Sequence, residues 1–187
     1  VTQTSYVEEA YPQLGRTQLA RQVVSQVWGQ VVAPASERDA WVHEALVEAF
    51  GYFYVRAALQ EEGFEAFENR LEYVRQSIEN PIERNNNREA VNAKVDGNRF
   101  FLSLTDGGSF ATDKPRLFRA YSFYVLGRML RERIGDQPFF RAIDRLGRRN
   151  EGRRITTEQL QAAFEETSGR DLSDFFHYWV RGGFVPK

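Results

Sequence analysis

Apolar side chains recur at spacings of three and four along most of the chain, a pattern that predicts amphipathic helices. In the first such segment, residues 17–32, they are Leu19, Val23, Val24, Val27, Trp28 and Val31. Pro34 is expected to stop this helix, and Gly29 either to end it or to let another backbone come close. Further helices are predicted over residues 41–59, ending before Gly63, and over 65–78, 116–134 and 138–146.

Near the C-terminus, capping residues mark the ends of two more helices. Thr156 or Thr157 is expected to begin one that ends at Gly169 in a left-handed conformation. Asp171 is expected to cap the last helix, which runs through Trp179. Upstream, Ser36 and Asp39 resemble a hydroxyl cap followed by a carboxylate three residues later.

The remaining segments are polar. Residues 79–98, with Pro81 and three consecutive Asn, predict an exposed loop. A short strand is expected over 99–104 and a turn over 106–109, so the chain has at most a short hairpin near 97–112. No repeat or linker is visible. The sequence predicts a mainly α fold, with residues 1–187 forming a single helical domain.

Composition excludes several classes of protein. Hydrophobic residues make up 42% of the 187 and aromatics 14%, which is enough for a packed core. The net charge of −1 offers no field that attracts nucleic acid, and the absence of Cys excludes thiolate metal sites. No apolar run approaches the roughly 20 residues of a membrane span, and there is no signal-peptide pattern. We expect a soluble protein of undetermined compartment, whose first residue marks a processed or truncated start.

Candidate catalytic groups are few, since the chain has only two His. His43 and Glu44 are neighbours on a predicted helix and point about 100° apart, which does not suit one ligand. His177 lies in an aromatic helical segment, which favours a packed, hydrogen-bonded side chain. For the one basic cluster, a solvated face is favoured over a nucleic-acid patch; its members are Arg145, Arg148, Arg149, Arg153 and Arg154.

Several spacings in the N-terminal quarter resemble a known family of enzymes. Gluzincin metallopeptidases of the aminopeptidase N family carry His-Glu-x-x-His on a helix, followed by Trp-Gly. Eighteen residues separate the second His of this motif from a Glu that lies in a Trp-Leu-Asn-Glu-Gly pattern. The matching stretches here are 27–29, with Trp28 and Gly29, and 41–45, with Trp41 and Glu44. Counting back from Glu44 places the five-residue motif on Arg21-Gln22-Val23-Val24-Ser25.

The C-terminal half is similar to the same family. Residues 129–135, Met-Leu-Arg-Glu-Arg-Ile-Gly, resemble the family's Met-Leu-Arg-x-x-Leu-Gly helix. The family's closing run is matched at 155–158, 168–172, 175–176 and 179–186. The resemblance covers about residues 10–187. It implies the C-terminal, helical part of a thermolysin-like catalytic domain, in which the motif helix and the Glu helix pack side by side.

The same resemblance implies that the zinc site has been lost. Arg21 and Ser25 stand where the family has its two His ligands, and Gln22 replaces the general base. Only Glu44 keeps its identity, and one carboxylate does not hold zinc at ordinary concentrations. The family's transition-state Tyr falls on Ala120, with Tyr121 one step away. We therefore expect no bound cofactor and no metal.

An ion pair is one replacement for the lost metal. Arg21 is expected to reach Glu44, with Gln22 and Ser25 completing hydrogen bonds. The alternative is a Glu44 that is simply solvated.

Three functional interpretations remain open from the sequence. The first is a non-catalytic pseudoenzyme that acts as a structural or protein-interaction module, bound by an unknown protein, a missing N-terminal segment or a second copy of itself. The second is a hydrolase acting through a partner chain or a non-standard site, for example a metal held by His43, Glu44 or Glu48. The third is an unrelated helical domain.

Overall fold

A computed structural model describes residues 12–79, 94–95, 98–99, 103–105 and 115–182. These residues are mainly helical, as predicted. The helices are α1 (Pro12–Gln26), α2 (Ala40–Glu79), α3 (Pro115–Phe123), α4 (Arg131–Ile134), α5 (Asp136–Arg149), α6 (Thr157–Ser168) and α7 (Ser173–Trp179). The strands are β1 (Val32–Pro34), β2 (Lys94–Val95), β3 (Asn98–Arg99) and β4 (Arg153–Ile155).

Helix α2 is longer than the sequence pattern predicts. It runs without interruption from Ala40 to Glu79, so the expected end before Gly63 is wrong. A glycine inside a helix costs only about 1 kcal/mol relative to alanine. The neighbouring Glu61, Glu62 and Glu65 are good helix formers, and the helix continues through the glycine.

The first helix ends earlier than predicted and is followed by a π-helical turn. α1 ends at Gln26 and leads into a π-helical turn, Val27–Val31, inside which Trp28 and Gly29 leave helical geometry. The chain then enters β1, which pairs in parallel with β4 in the register Val32 to Arg153 and Pro34 to Ile155. The sequence analysis did not predict this sheet, because a three-residue strand is too short to carry a periodic pattern.

The predicted helix over 116–134 is confirmed, with a π-helical segment inside it. The segment Tyr124–Leu130 separates α3 from α4. Gly127 in this segment faces Ala49 of α2, and a Cβ on Gly127 would lie 3.3 Å from the Ala49 Cβ. Small residues on both sides therefore allow α2 and the segment that follows α3 to approach closely.

The predicted hairpin is displaced. β2 and β3 pair antiparallel between residues 94 and 99, at the start of the range 97–112. Ser103 and Leu104 are not in a strand, so the strand expected over 99–104 does not reach them. Leu104 is instead buried, and its N–H donates to the Val180 carbonyl. The predicted turn at 106–109 and most of the predicted loop at 79–98 lie outside the described residues.

The predicted caps of α6 are confirmed, whereas the N-cap residue of α7 is Leu172, not Asp171. Thr156 and Gln159 form a reciprocal capping box at the start of α6, and Gly169 ends that helix with φ of 67°. The Asp171 carboxylate accepts the Ser173 N–H at 2.8 Å at the start of α7. This hydrogen bond lowers the pKa of Asp171.

The largest apolar cluster draws on segments from both ends of the described chain. Trp41 of α2 lies edge-on to Phe176 of α7, and Phe139 of α5 stacks on Phe164 of α6. Trp28 also belongs to this cluster and packs against Gly147 of α5. None of the described helices is both long enough and apolar enough to cross a membrane.

Candidate functional site

The candidate site lies where α1 and α2 pack side by side. Gly51 of α2 makes this contact close, because a Cβ at that position would lie 2.5 Å from Arg21 Cγ and 3.6 Å from the Arg21 backbone nitrogen. The stem of Arg21 therefore lies directly on the α2 surface. The two helices that carry the predicted site positions are in contact.

Arg21 forms an ion pair in this contact, with a different partner from the one expected. Its guanidinium lies 3.1 Å from a carboxylate oxygen of Glu48, and the two side chains are 24% and 5% exposed. The expected pair with Glu44 is therefore wrong. Since the Arg21 stem lies against Gly51, the guanidinium meets the residue three positions earlier on the same face of α2, which is Glu48. Arg21 Nε is buried and has no hydrogen-bond partner among the described residues.

The other motif positions do not converge on Glu44. Gln22 is exposed, and the Ser25 hydroxyl donates to the Gln22 backbone carbonyl at 2.7 Å. Glu44 is half-buried and has no ion-pair partner within the described residues. The expected hydrogen bonds from Gln22 and Ser25 to an Arg21–Glu44 pair are absent from the described contacts, because Gln22 faces outward and Ser25 bonds to its own helix.

Tyr121 is a core residue. It is buried in α3, and its hydroxyl donates to the Trp179 carbonyl at 3.2 Å. Burial raises the pKa of this phenol above its ordinary value. The side chain therefore joins α3 to the end of α7 and has no free hydroxyl to offer a substrate.

His43 packs into the bend between α1 and β1. Its ring covers Gly29, where a Cβ would lie 2.7 Å from His43 Cε1. His43 Nδ1 is buried and has no hydrogen-bond partner among the described residues. The side chains around the ring leave no room for a water molecule; these side chains are Trp28, Val32, Pro34, Val42, Leu46 and Ile155. Burial lowers the pKa of His43, while the charge of Glu44 opposes this shift. The arrangement favours a neutral imidazole with a packing role.

The lowered pKa of His43 predicts a pH dependence of stability. A histidine whose pKa is lower in the folded state binds protons more readily when unfolded, so its contribution is present above about pH 6.5 and is lost as the pH falls. We expect the free energy of unfolding, measured by urea denaturation, to fall between about pH 7 and about pH 5. His43→Gln should flatten this part of the profile.

His177→Gln is the matched control for this titration. His177 lies exposed on α7 beside the Tyr178 ring, so the expectation of a packed, hydrogen-bonded side chain is wrong for it. The wild-type profile should persist in His177→Gln. If His43→Gln leaves the pH dependence of the free energy of unfolding unchanged, another group causes the loss of stability at acid pH.

The predicted basic cluster is largely paired with carboxylates. Arg145 and Arg149 both contact Glu166, at 3.0 and 2.8 Å, and Arg148 contacts Asp144 at 2.8 Å. Arg153 and Arg154 lie exposed on β4. Three of the five guanidinium groups are therefore matched by acids on the same surface.

One buried polar network was not predicted as such. The Asp39 carboxylate accepts the backbone N–H and the hydroxyl of Thr157, at 2.7 and 2.9 Å, and the Ser36 hydroxyl at 2.6 Å. Trp41 Nε1 donates to the Thr157 hydroxyl at 3.0 Å. The spacing of Ser36 and Asp39 was visible in the sequence, but it predicted a local cap. In the structure, Asp39 also accepts hydrogen bonds from Thr157 at the start of α6.

Comparison of the chain with protein-family models and with curated proteins finds no match. Within the described part of the chain, no three His, Asp or Glu side chains form a group that could hold a metal ion. The donor set that the resemblance places at a zinc site does not fit the metal either. It offers a guanidinium, an outward-facing amide, a hydroxyl bonded to its own helix and one carboxylate.

Proposed function

We propose that this chain is a non-catalytic domain of the aminopeptidase-like kind, which acts as a structural or protein-interaction module. Two observations support this proposal: the sequence resemblance and the chemistry of the residues at the contact between α1 and α2. The described residues assemble no general base and no metal-ligand set at this contact, which supports a non-catalytic function.

The Arg21–Glu48 ion pair is the observation that carries the proposal. The resemblance puts a zinc ligand at position 21, and the residue there is a cation held against a buried carboxylate. A guanidinium keeps its charge at all accessible pH values and repels a divalent metal. The Arg21–Glu48 ion pair therefore supports a structural role for these residues, in which they hold α1 against α2.

Zinc content tests the proposal directly. After incubation with zinc and removal of the excess, elemental analysis of the purified wild-type chain should give well under about 0.1 zinc per chain. Peptidase turnover, assayed on aminoacyl reporter substrates with and without added zinc, should stay at the buffer rate. Close to one zinc per chain, lost in Glu44→Ala, would overturn the proposal and favour the hydrolase.

A restored motif supplies the positive control. The triple variant Arg21→His, Gln22→Glu and Ser25→His recreates the complete motif on α1, with Glu44 on the adjoining helix. It should bind about one zinc per chain, and adding both Glu44→Ala and Glu48→Ala, which removes the two acidic residues one turn apart on this face of α2, should abolish that binding. A triple variant that folds, as judged by circular dichroism, but binds no zinc would contradict the assignment of these positions to an ancestral metal site.

A further inference from the structure

We draw no further inference here: the strongest candidate, the exposed apolar face of α1 formed by Leu19, Val23 and Val27, carries no proposal because nothing in the described part of the structure shows what covers it.

Discussion

Arg21→Ala is expected to lower the free energy of unfolding by about 2 to 3 kcal/mol. The substitution leaves the Glu48 carboxylate, which is 5% exposed, without its counter-charge. Removing one partner of a fully buried pair costs about 3 to 5 kcal/mol, and we expect less here because the Arg21 side chain is 24% exposed. Urea denaturation monitored by circular dichroism measures the change.

The matched control for Arg21→Ala is Arg16→Ala. Arg16 is an exposed residue of the same helix with no ion pair among the described residues, and its replacement should change stability by less than about 0.5 kcal/mol. The double variant Arg21→Leu, Glu48→Leu should recover much of the loss, because it removes both charges. Equal effects of Arg21→Ala and Arg16→Ala would mean that the ion pair contributes nothing measurable.

The second large effect is expected at Asp39. Asp39→Ala removes an acceptor of three hydrogen bonds and leaves the buried Thr157 N–H and hydroxyl without this partner. Hydrogen bonds to a charged group contribute about 1.5 to 3 kcal/mol each and are not additive within a network, so we expect a loss of about 3 to 4 kcal/mol in the free energy of unfolding.

Two further variants separate the network from a general charge effect. Asp39→Asn keeps one acceptor oxygen and should lose about half as much stability as Asp39→Ala. Asp174→Ala removes an exposed carboxylate from the first turn of α7 and should cost less than about 1 kcal/mol. A loss for Asp39→Ala no larger than that for Asp174→Ala would contradict the role assigned to the network.

These two contacts hold α2 in place at different points. Near its start, Asp39 connects the segment before α2 to the first residue of α6, across 118 positions of sequence. About two and a half helical turns further along, Glu48 holds α1 through its ion pair with Arg21. The residues between them include Glu44, which therefore lies on a stretch of helix anchored on both sides.

Local signals in the sequence predicted much of the helical structure. The three- and four-residue spacing located α1 and α5, and the cap at Thr156 and the left-handed end at Gly169 are confirmed. Such features depend on residues within one or two turns, so a short stretch of sequence contains them. The same local reasoning failed at Gly63, where the rest of a 40-residue helix outweighs one poor helix former.

Local spacing and capping signals did not predict the contacts between segments that are distant in the sequence. From the family resemblance we predicted an ion pair between Arg21 and Glu44, whereas the structure pairs Arg21 with Glu48. Glu44 and Glu48 lie on the same face of one helix, one turn apart. The close contact at Gly51 sets where α1 crosses, and that crossing selects Glu48.

The amino-acid sequence by itself determined the helical class and the main helix positions, because these follow from local periodicity and residue chemistry. Only the tertiary structure decided the partner of Arg21 and the pairing of β1 with β4. Each of these depends on how close two distant backbones come, and that distance is set by the packing of the whole core.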